Sequence, residues 1–457
     1  MEKQKHKRSS FSGKLGFVLA AAGASVGLGN IWRFPYLAAK YGGGIFLIIY
    51  IVLALTFGYT MIVAETAIGR MTRKSPVGAF KSFGKKKWLS FGGWINAVIP
   101  VLIVPYYSVI GGWVIKYLVE YFRGNAKLLA EDGYFTDFIS NGVSTELCFV
   151  AFCAFTLIII FAGVQNGIER VSKIMMPILI VLSVIIAVYS VTRPGALAGV
   201  KYFLVPNVKN FSWMTVVSAM GQMFYSLSIA MGILITFGSY MKKDTAIEDS
   251  TRNVEVFDTG IAIMAGLMII PAVFAFSGGD PDTLQAGPSL MFITIPKVFQ
   301  NMGFGTVIGI VFFLLVLFAA VTSSIALTES AVSTFEDELG WGRKKATVLV
   351  GVIMLVLGSL SSLGYGPLAG IKIIGMQFLD LFDFLTNSVM MPIAALLTSL
   401  LVSRVVGIDK IEEEIIHGES AFRRKKVFVV MIKYLCPVFA IIILLSSVAN
   451  ALGWIKM

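Results

Sequence analysis

Residues 14–38 are apolar over the length of a bilayer crossing, yet the middle of that run is not an ordinary apolar helix. Residues 22–36 read A-G-A-S-V-G-L-G-N-I-W-R-F-P-Y, which sets Gly23, Gly27 and Gly29 beside Ser25 and Asn30, then Arg33 and Pro35. Hydrocarbon offers no hydrogen-bond partner to a loosened backbone, so a weak, polar segment at that depth must be buried in protein or line a cavity. Secondary transporters use such breaks to turn carbonyls and helix ends toward ions and substrates. A tightly packed glycine-rich helix is the competing explanation.

Apolar runs of roughly 20 residues recur along the chain, with 57% of residues apolar and 14% charged, which specifies a polytopic membrane protein. The pattern predicts an all-α fold of about eleven transmembrane helices: 14–38, 44–70, 91–122, 146–163, 167–191, 213–241, 256–276, 303–336, 346–363, 373–403 and 427–452. The net charge of +12 is not a nucleic-acid footprint, because the cations gather in short loops as topology signals do. Lys3, Lys5, Lys7 and Arg8, the loop 70–87, and residues 343–345 and 404–426 are basic and fall on one side of an eleven-span chain. Arg193, Lys201, Lys209, Lys297 and Lys372 are scattered exceptions. The N-terminus is therefore expected in the cytoplasm and the C-terminus outside, with the chain multi-pass in the cell inner (plasma) membrane.

One integral membrane domain over residues 1–457 is expected, without a cleaved signal peptide. Cys148, Cys153 and Cys436 lie in apolar spans, so no disulfide framework is expected, and His6 and His417 do not make a histidine metal centre. No nucleophile–base set or cofactor loop stands out, so neither an enzyme nor an organic cofactor is expected. The glycines at 23–29 follow no strand, as a dinucleotide loop would require.

Residues 225–232, Y-S-L-S-I-A-M-G, again set small and hydroxyl residues in mid-span, five spans after the first break. Interrupted helices at matching positions of two five-span halves point to an inverted repeat with a site at the midplane, although Ser and Gly also pack membrane helices. The repeats would cover residues 14–191 and 213–403, with an additional span at 427–452. Ionisable groups at membrane depth are costly, which draws attention to Asp258 in the first turn or two of the seventh span, to Glu65 and to Glu329. Asp258 also suits a helix N-terminus at the interface. Glu65 suits the satisfaction of unwound backbone N–H groups, and Glu329 has no evident partner. Thr322, Ser323 and Ser324 offer hydroxyls either to a hard cation or to their own helix carbonyls. Tyr106 and Tyr107 set phenols within the third span, for packing or recognition. Gly167 and Pro177 weaken the start of the fifth span, which either opens or is an inert kink.

These residues together resemble the neurotransmitter:sodium symporters, particularly their bacterial amino-acid branch with eleven spans. The likeness rests on G-L-G-N-I-W-R-F-P-Y at 27–36, Y-Y-S-V-I-G-G-W at 106–113, G-Q-M-F-Y-S-L-S at 221–228, T-S-S at 322–324 and F-E-D-E-L at 335–339, in order over nearly the whole chain. The resemblance implies sodium-coupled amino-acid symport by alternating access, with spans one, two, six and seven moving as a bundle. It implies a first sodium on Ser25, Asn30, Ser226 and Asp258, and a second on carbonyls of Gly23, Val26 and Ala319 with the hydroxyls of Thr322 and Ser323. Substrate contacts would be Ala24, Ser25, Leu28, Gly29, Tyr107, Tyr225, Ser226, Ser228, Met231 and Leu327. Arg33 with Asp383 would form an outer gate, aided by Gln222, and Arg8 with Asp337, near Tyr240, an inner one. The 167–177 spacing resembles that of relatives in which this end of span five unwinds.

Gly27 stands where monoamine-transporting relatives look to have an aspartate, so the ligand is expected to bring its own carboxylate. Met231, Tyr225, Leu327 and Val26 outline an apolar pocket, which favours hydrophobic or aromatic L-amino acids. Asp258 replaces the asparagine usual in chloride-dependent members, with Ala262 one turn on. Two sodium ions and one substrate carboxylate leave a single positive charge, which a fixed anion about 3–5 Å away cancels. Transport is therefore expected to be chloride-independent. A non-transporting amino-acid sensor or channel-like protein on the same fold is the alternative, and the oligomeric state is left open.

Overall fold

The computed structural model describes residues 8–278, 287–451 and 454. Lys3, Lys5, His6, Lys7 and Leu452, which entered the sequence reading, lie outside the described residues. Among the described residues there is no strand, and helices carry the fold. The principal ones are α1 (Lys14–Ser25), α2 (Gly29–Lys40), α3 (Gly44–Thr72), α4 (Lys87–Phe122), α5 (Gly142–Phe161), α6 (Val164–Val191), α7 (Trp213–Ser226) and α8 (Ile233–Ser239). There follow α9 (Ile247–Ser277), α10 (Leu290–Gln300), α11 (Gly305–Leu339), α12 (Arg343–Leu363), α13 (Phe378–Val406), α14 (Ile408–Ile416) and α15 (Lys425–Asn450). Among the described residues nine are long and apolar enough to cross a bilayer alone, and the α1–α2 pair, bent by 53°, makes a tenth. The helices α7 and α8 are separated by residues 227–232.

Several boundaries differ from the sequence reading for one reason: a charge ends an apolar run without ending a helix. Helix α9 starts at Ile247 rather than 256, carrying Glu248, Asp249, Arg252 and Glu255 in helical conformation. Asp258 therefore lies about three turns inside its helix, not in the first turn or two, and helix-end stabilisation does not explain it. Helices α4 and α12 likewise start at Lys87 and Arg343. The loop 277–301 contributes α10, and 404–426 contributes α14. The start of the fifth span is wound, with a wide turn at Val164–Glu169 and α-helix through Pro177.

Helix α4 packs against α5, α11 and α12, while α9 lies against α1, α6 and α3. Helices α3 and α8 cross almost backbone to backbone. A Cβ at Gly69 would stand 2.0 Å from the Ile235 carbonyl oxygen, and one at Gly238 would stand 2.4 Å from that of Thr66. Small residues allow membrane helices this approach. The crossing sets the fully buried Glu65 beside the α7–α8 break, where its Oε1 accepts the Ala230 N–H at 2.8 Å. The outer perimeter is apolar, with Leu147 and Ile158 each 67% exposed, as contact with lipid requires.

Candidate functional site

The two interruptions, between α1 and α2 and between α7 and α8, face one another and the middle of α11. The Ser323 hydroxyl on α11 lies 3.2, 3.1 and 3.4 Å from the carbonyl oxygens of Gly23, Ala24 and Val26. Thr322 donates to the carbonyls of Phe318 at 3.0 Å and Ala319 at 3.2 Å, while Ser324 turns away toward Thr156. Gly23, Val26, Ala319, Thr322 and Ser323 thus contribute to one group of hard oxygens, of the kind that suits small hard cations. In the other break Ser228 and Ala230 have φ of +52° and +59°, left-handed conformations that cost a non-glycine residue about 1–3 kcal/mol each. The Ser228 hydroxyl donates to the Ala24 carbonyl at 2.9 Å, and Gln222 Nε2 to that of Gly29 at 3.1 Å, so the two breaks are tied together.

Asp258 is completely buried on α9. Asn30 Nδ2 donates to its Oδ1 at 2.8 Å, Tyr50 OH donates to its Oδ2 at 3.0 Å, and the Ser226 hydroxyl straddles both oxygens at 2.9 and 3.0 Å. Among the described residues no lysine, arginine or histidine pairs with it. A buried carboxylate with hydrogen-bond donors and no cation is several kcal/mol short of compensation, which either a proton or a bound cation would supply. Asn30 turns its amide nitrogen to Asp258, while its Oδ1 accepts the Gly27 N–H at 3.2 Å. Ser25 donates to Ala21 O at 3.1 Å rather than joining this cluster. Tyr50 was missed by the sequence reading; its only signal was a phenol in the apolar run of α3.

A small cavity of ≈ 30 Å³ lies between the breaks. It is lined by Ala24, Ser25, Gly27, Leu28, Gly29, Asn30, Ile103, Tyr107, Tyr225, Ser228, Met231, Ser323 and Leu327. Tyr107 OH accepts the Leu28 N–H at 3.2 Å. A Cβ at Gly27 would come within 2.7 Å of Ser323 Oγ and 3.0 Å of Tyr107 OH, so glycine there keeps the centre clear. Ser226 stands behind the cavity with Asp258, and Val26, expected in the apolar wall, contributes its carbonyl to the Ser323 side instead. Ile103 is an addition, one turn before Tyr107 on the same face of α4.

Tyr225 also floors a second, larger cavity of ≈ 510 Å³ that Gly287, Pro288, Tyr365 and Met376 border from the loops on the face away from the basic segments. Arg33 and Asp383 both line this vestibule, yet they make no ion pair. The Arg33 guanidinium sits 5.3 Å from the Tyr225 ring centroid, and Asp383 Oδ1 accepts from Tyr106 OH at 3.2 Å and Asn387 Nδ2 at 2.5 Å. The expected outer pair is therefore open in this structure, each partner being held elsewhere. On the basic face, Arg8 Nη1 meets Asp337 Oδ1 at 2.7 Å and lies 4.9 Å from the Tyr240 ring centroid. Glu329 has partners there too: Arg343 Nη2 at 2.5 Å and Tyr240 OH at 2.7 Å. A vestibule thus lies on the side away from the basic segments, with Tyr225 between it and the small cavity, while ion pairs span the basic face.

The profile of the sodium:neurotransmitter symporter family matches residues 8–129 and 136–454. The chain belongs to that family. As a member it is a sodium-dependent, multi-pass membrane transporter. An uncharacterized sodium-dependent transporter of Bacillus subtilis is 34% identical over 446 residues, covering 97% of this chain and 98% of its own. The sodium- and chloride-dependent GABA transporter 2 of Homo sapiens is 26% identical over 474 residues, 90% of this chain and 75% of its own. Among solved structures, MhsT in complex with L-phenylalanine aligns with a TM-score of 0.86 at 34% identity, covering 96% of this chain and 100% of that one.

Proposed function

We propose that this symporter carries hydrophobic or aromatic L-amino acids into the cytoplasm together with sodium, by alternating access and independently of chloride. The observation that carries the reading is the buried, cation-free Asp258 beside the two broken helices. One sodium would sit against Asp258, Ser226, Ser25 and Asn30, with the substrate carboxylate. This requires Asn30 to rotate its amide and present Oδ1. A second would sit among the oxygens of Gly23, Val26, Ala319, Thr322 and Ser323. Tyr107 would donate to the substrate carboxylate while its OH accepts the Leu28 N–H. Met231, Leu327 and Ile103 give the side chain apolar company, and the relative crystallised with L-phenylalanine supports that class. A cavity of ≈ 30 Å³ holds about one water, so substrate entry has to move Tyr225 and the flexible Met231.

The basic face is read as cytoplasmic. Counting α7 with α8 as one interrupted span gives eleven, with repeats at 14–191 and 213–403 and an added span at the C-terminal end. Arg8–Asp337 would be the inner gate and Arg33–Asp383 the outer, closing after substrate arrives. Surface ion pairs contribute about 0–1 kcal/mol, which suits contacts remade in each cycle. The test is uptake of a labelled hydrophobic amino acid by cells or vesicles with chloride replaced by gluconate. Sustained sodium-dependent uptake supports the reading, and collapse on replacement contradicts chloride independence. Binding without concentrative uptake would favour a sensor.

A further inference from the structure

The end of α4 on the basic face carries a surface that neither the sodium nor the substrate site uses. Lys87, Phe91 and Trp94 lie at helical spacing and are all exposed, Phe91 by 56% and Trp94 by 40%, and the half-buried Val98 continues the row. Over about 16 Å of helix the stripe grades from cation, through aromatic rings, to aliphatic side chain. Lys85 and Lys86, just before the helix, are exposed as well, and Lys81 Nζ stands 5.7 Å from the Trp94 ring centroid. Several other cations of this face have carboxylate partners, Arg8 with Asp337, Lys81 with Glu338, and Arg70 and Lys243 with Glu414, while Arg73, Lys74 and Lys242 are held by carbonyl or hydroxyl oxygens. Among the described residues Lys85, Lys86 and Lys87 make no ion pair. Three adjacent uncompensated cations therefore sit directly above an exposed aromatic and apolar stripe.

We propose that this surface binds an acidic phospholipid, its phosphate against Lys85, Lys86 and Lys87 and its chains along Phe91, Trp94 and Val98. Juxtamembrane lysine clusters attract anionic headgroups, and tryptophan favours the headgroup level. A soluble acidic protein would meet the lysines but leave the apolar stripe uncovered, so the lipid is the better match. The test places the full chain in vesicles of brominated phosphatidylcholine and takes the fluorescence difference between wild type and W94F, which isolates Trp94. Replacing a small share of the quencher by unbrominated phosphatidylglycerol is expected to restore Trp94 emission well beyond the same share of unbrominated phosphatidylcholine. The preference should fall by about fivefold per lysine removed, vanish in K85Q/K86Q/K87Q and survive in K85R/K86R/K87R. High salt on the wild type should weaken it equally, without any substitution. Equal restoration by the two lipids, or a preference indifferent to both salt and the glutamine variant, overturns the proposal.

Discussion

Asp258→Asn removes the only charge from a cluster held by Asn30, Ser226 and Tyr50. The shape survives, so the variant should fold, but sodium there loses a counter-charge. Its half-saturating sodium concentration should rise at least about tenfold, or ~1.4 kcal/mol, and uptake should become chloride-dependent. Unchanged sodium dependence in gluconate would remove Asp258 from the ion site. Gly27→Asp pushes atoms into contact with Ser323 and Tyr107 and sets a carboxylate where the ligand's own would lie. Amino-acid uptake should fall at least about a hundredfold, the loss from repulsion and overlap together exceeding ~2.7 kcal/mol. Residual uptake near wild type would refute the role given to this glycine. Gly27 was legible as a special residue in the sequence. The packing of Tyr50 against Asp258 was not, because a hydrogen bond between residues 208 positions apart exists only after folding.

At the scale of elements, the breaks depend on the support that the sequence already suggested for Glu65, the satisfaction of unwound backbone N–H groups. Glu65 on α3 accepts the Ala230 N–H, and the Gly69–Gly238 crossing brings α3 close enough for it to do so. Glu65→Gln retains an acceptor and should stay within about 1 kcal/mol of wild type, whereas Glu65→Ala strands a buried N–H at about 1–3 kcal/mol. Thermal unfolding in detergent separates the two, and equal losses would show that the hydrogen bond is not what matters. The existence of most helices could be read from apolar runs, and so could both interruptions, since glycine, serine and asparagine at membrane depth announce themselves. The helix starts could not. Glu248, Asp249, Arg252 and Glu255 look like loop, yet they extend α9 beyond the apolar run. The partner of Glu329 was hidden similarly, because Arg343 looked like a topology signal until α11 and α12 were placed side by side.

For the whole molecule, the asymmetry between faces is the property to test. The vestibule reaches Tyr225, and the Arg8–Asp337 pair, proposed as the inner gate, lies at the opposite end. Asp337→Ala removes that pair and an acceptor of the Ser75 N–H, so the population should shift toward a form open on the basic face. A cysteine introduced at Ser239 should then label faster from that face, and an unchanged rate would mean that the pair is not a gate. The most direct test of sodium-coupled amino-acid symport is accumulation of labelled L-phenylalanine in sealed proteoliposomes under an inward sodium gradient. The account predicts internal phenylalanine above the external level, abolished when the gradient is collapsed or potassium replaces sodium. Saturable binding without accumulation, or accumulation indifferent to sodium, would contradict it.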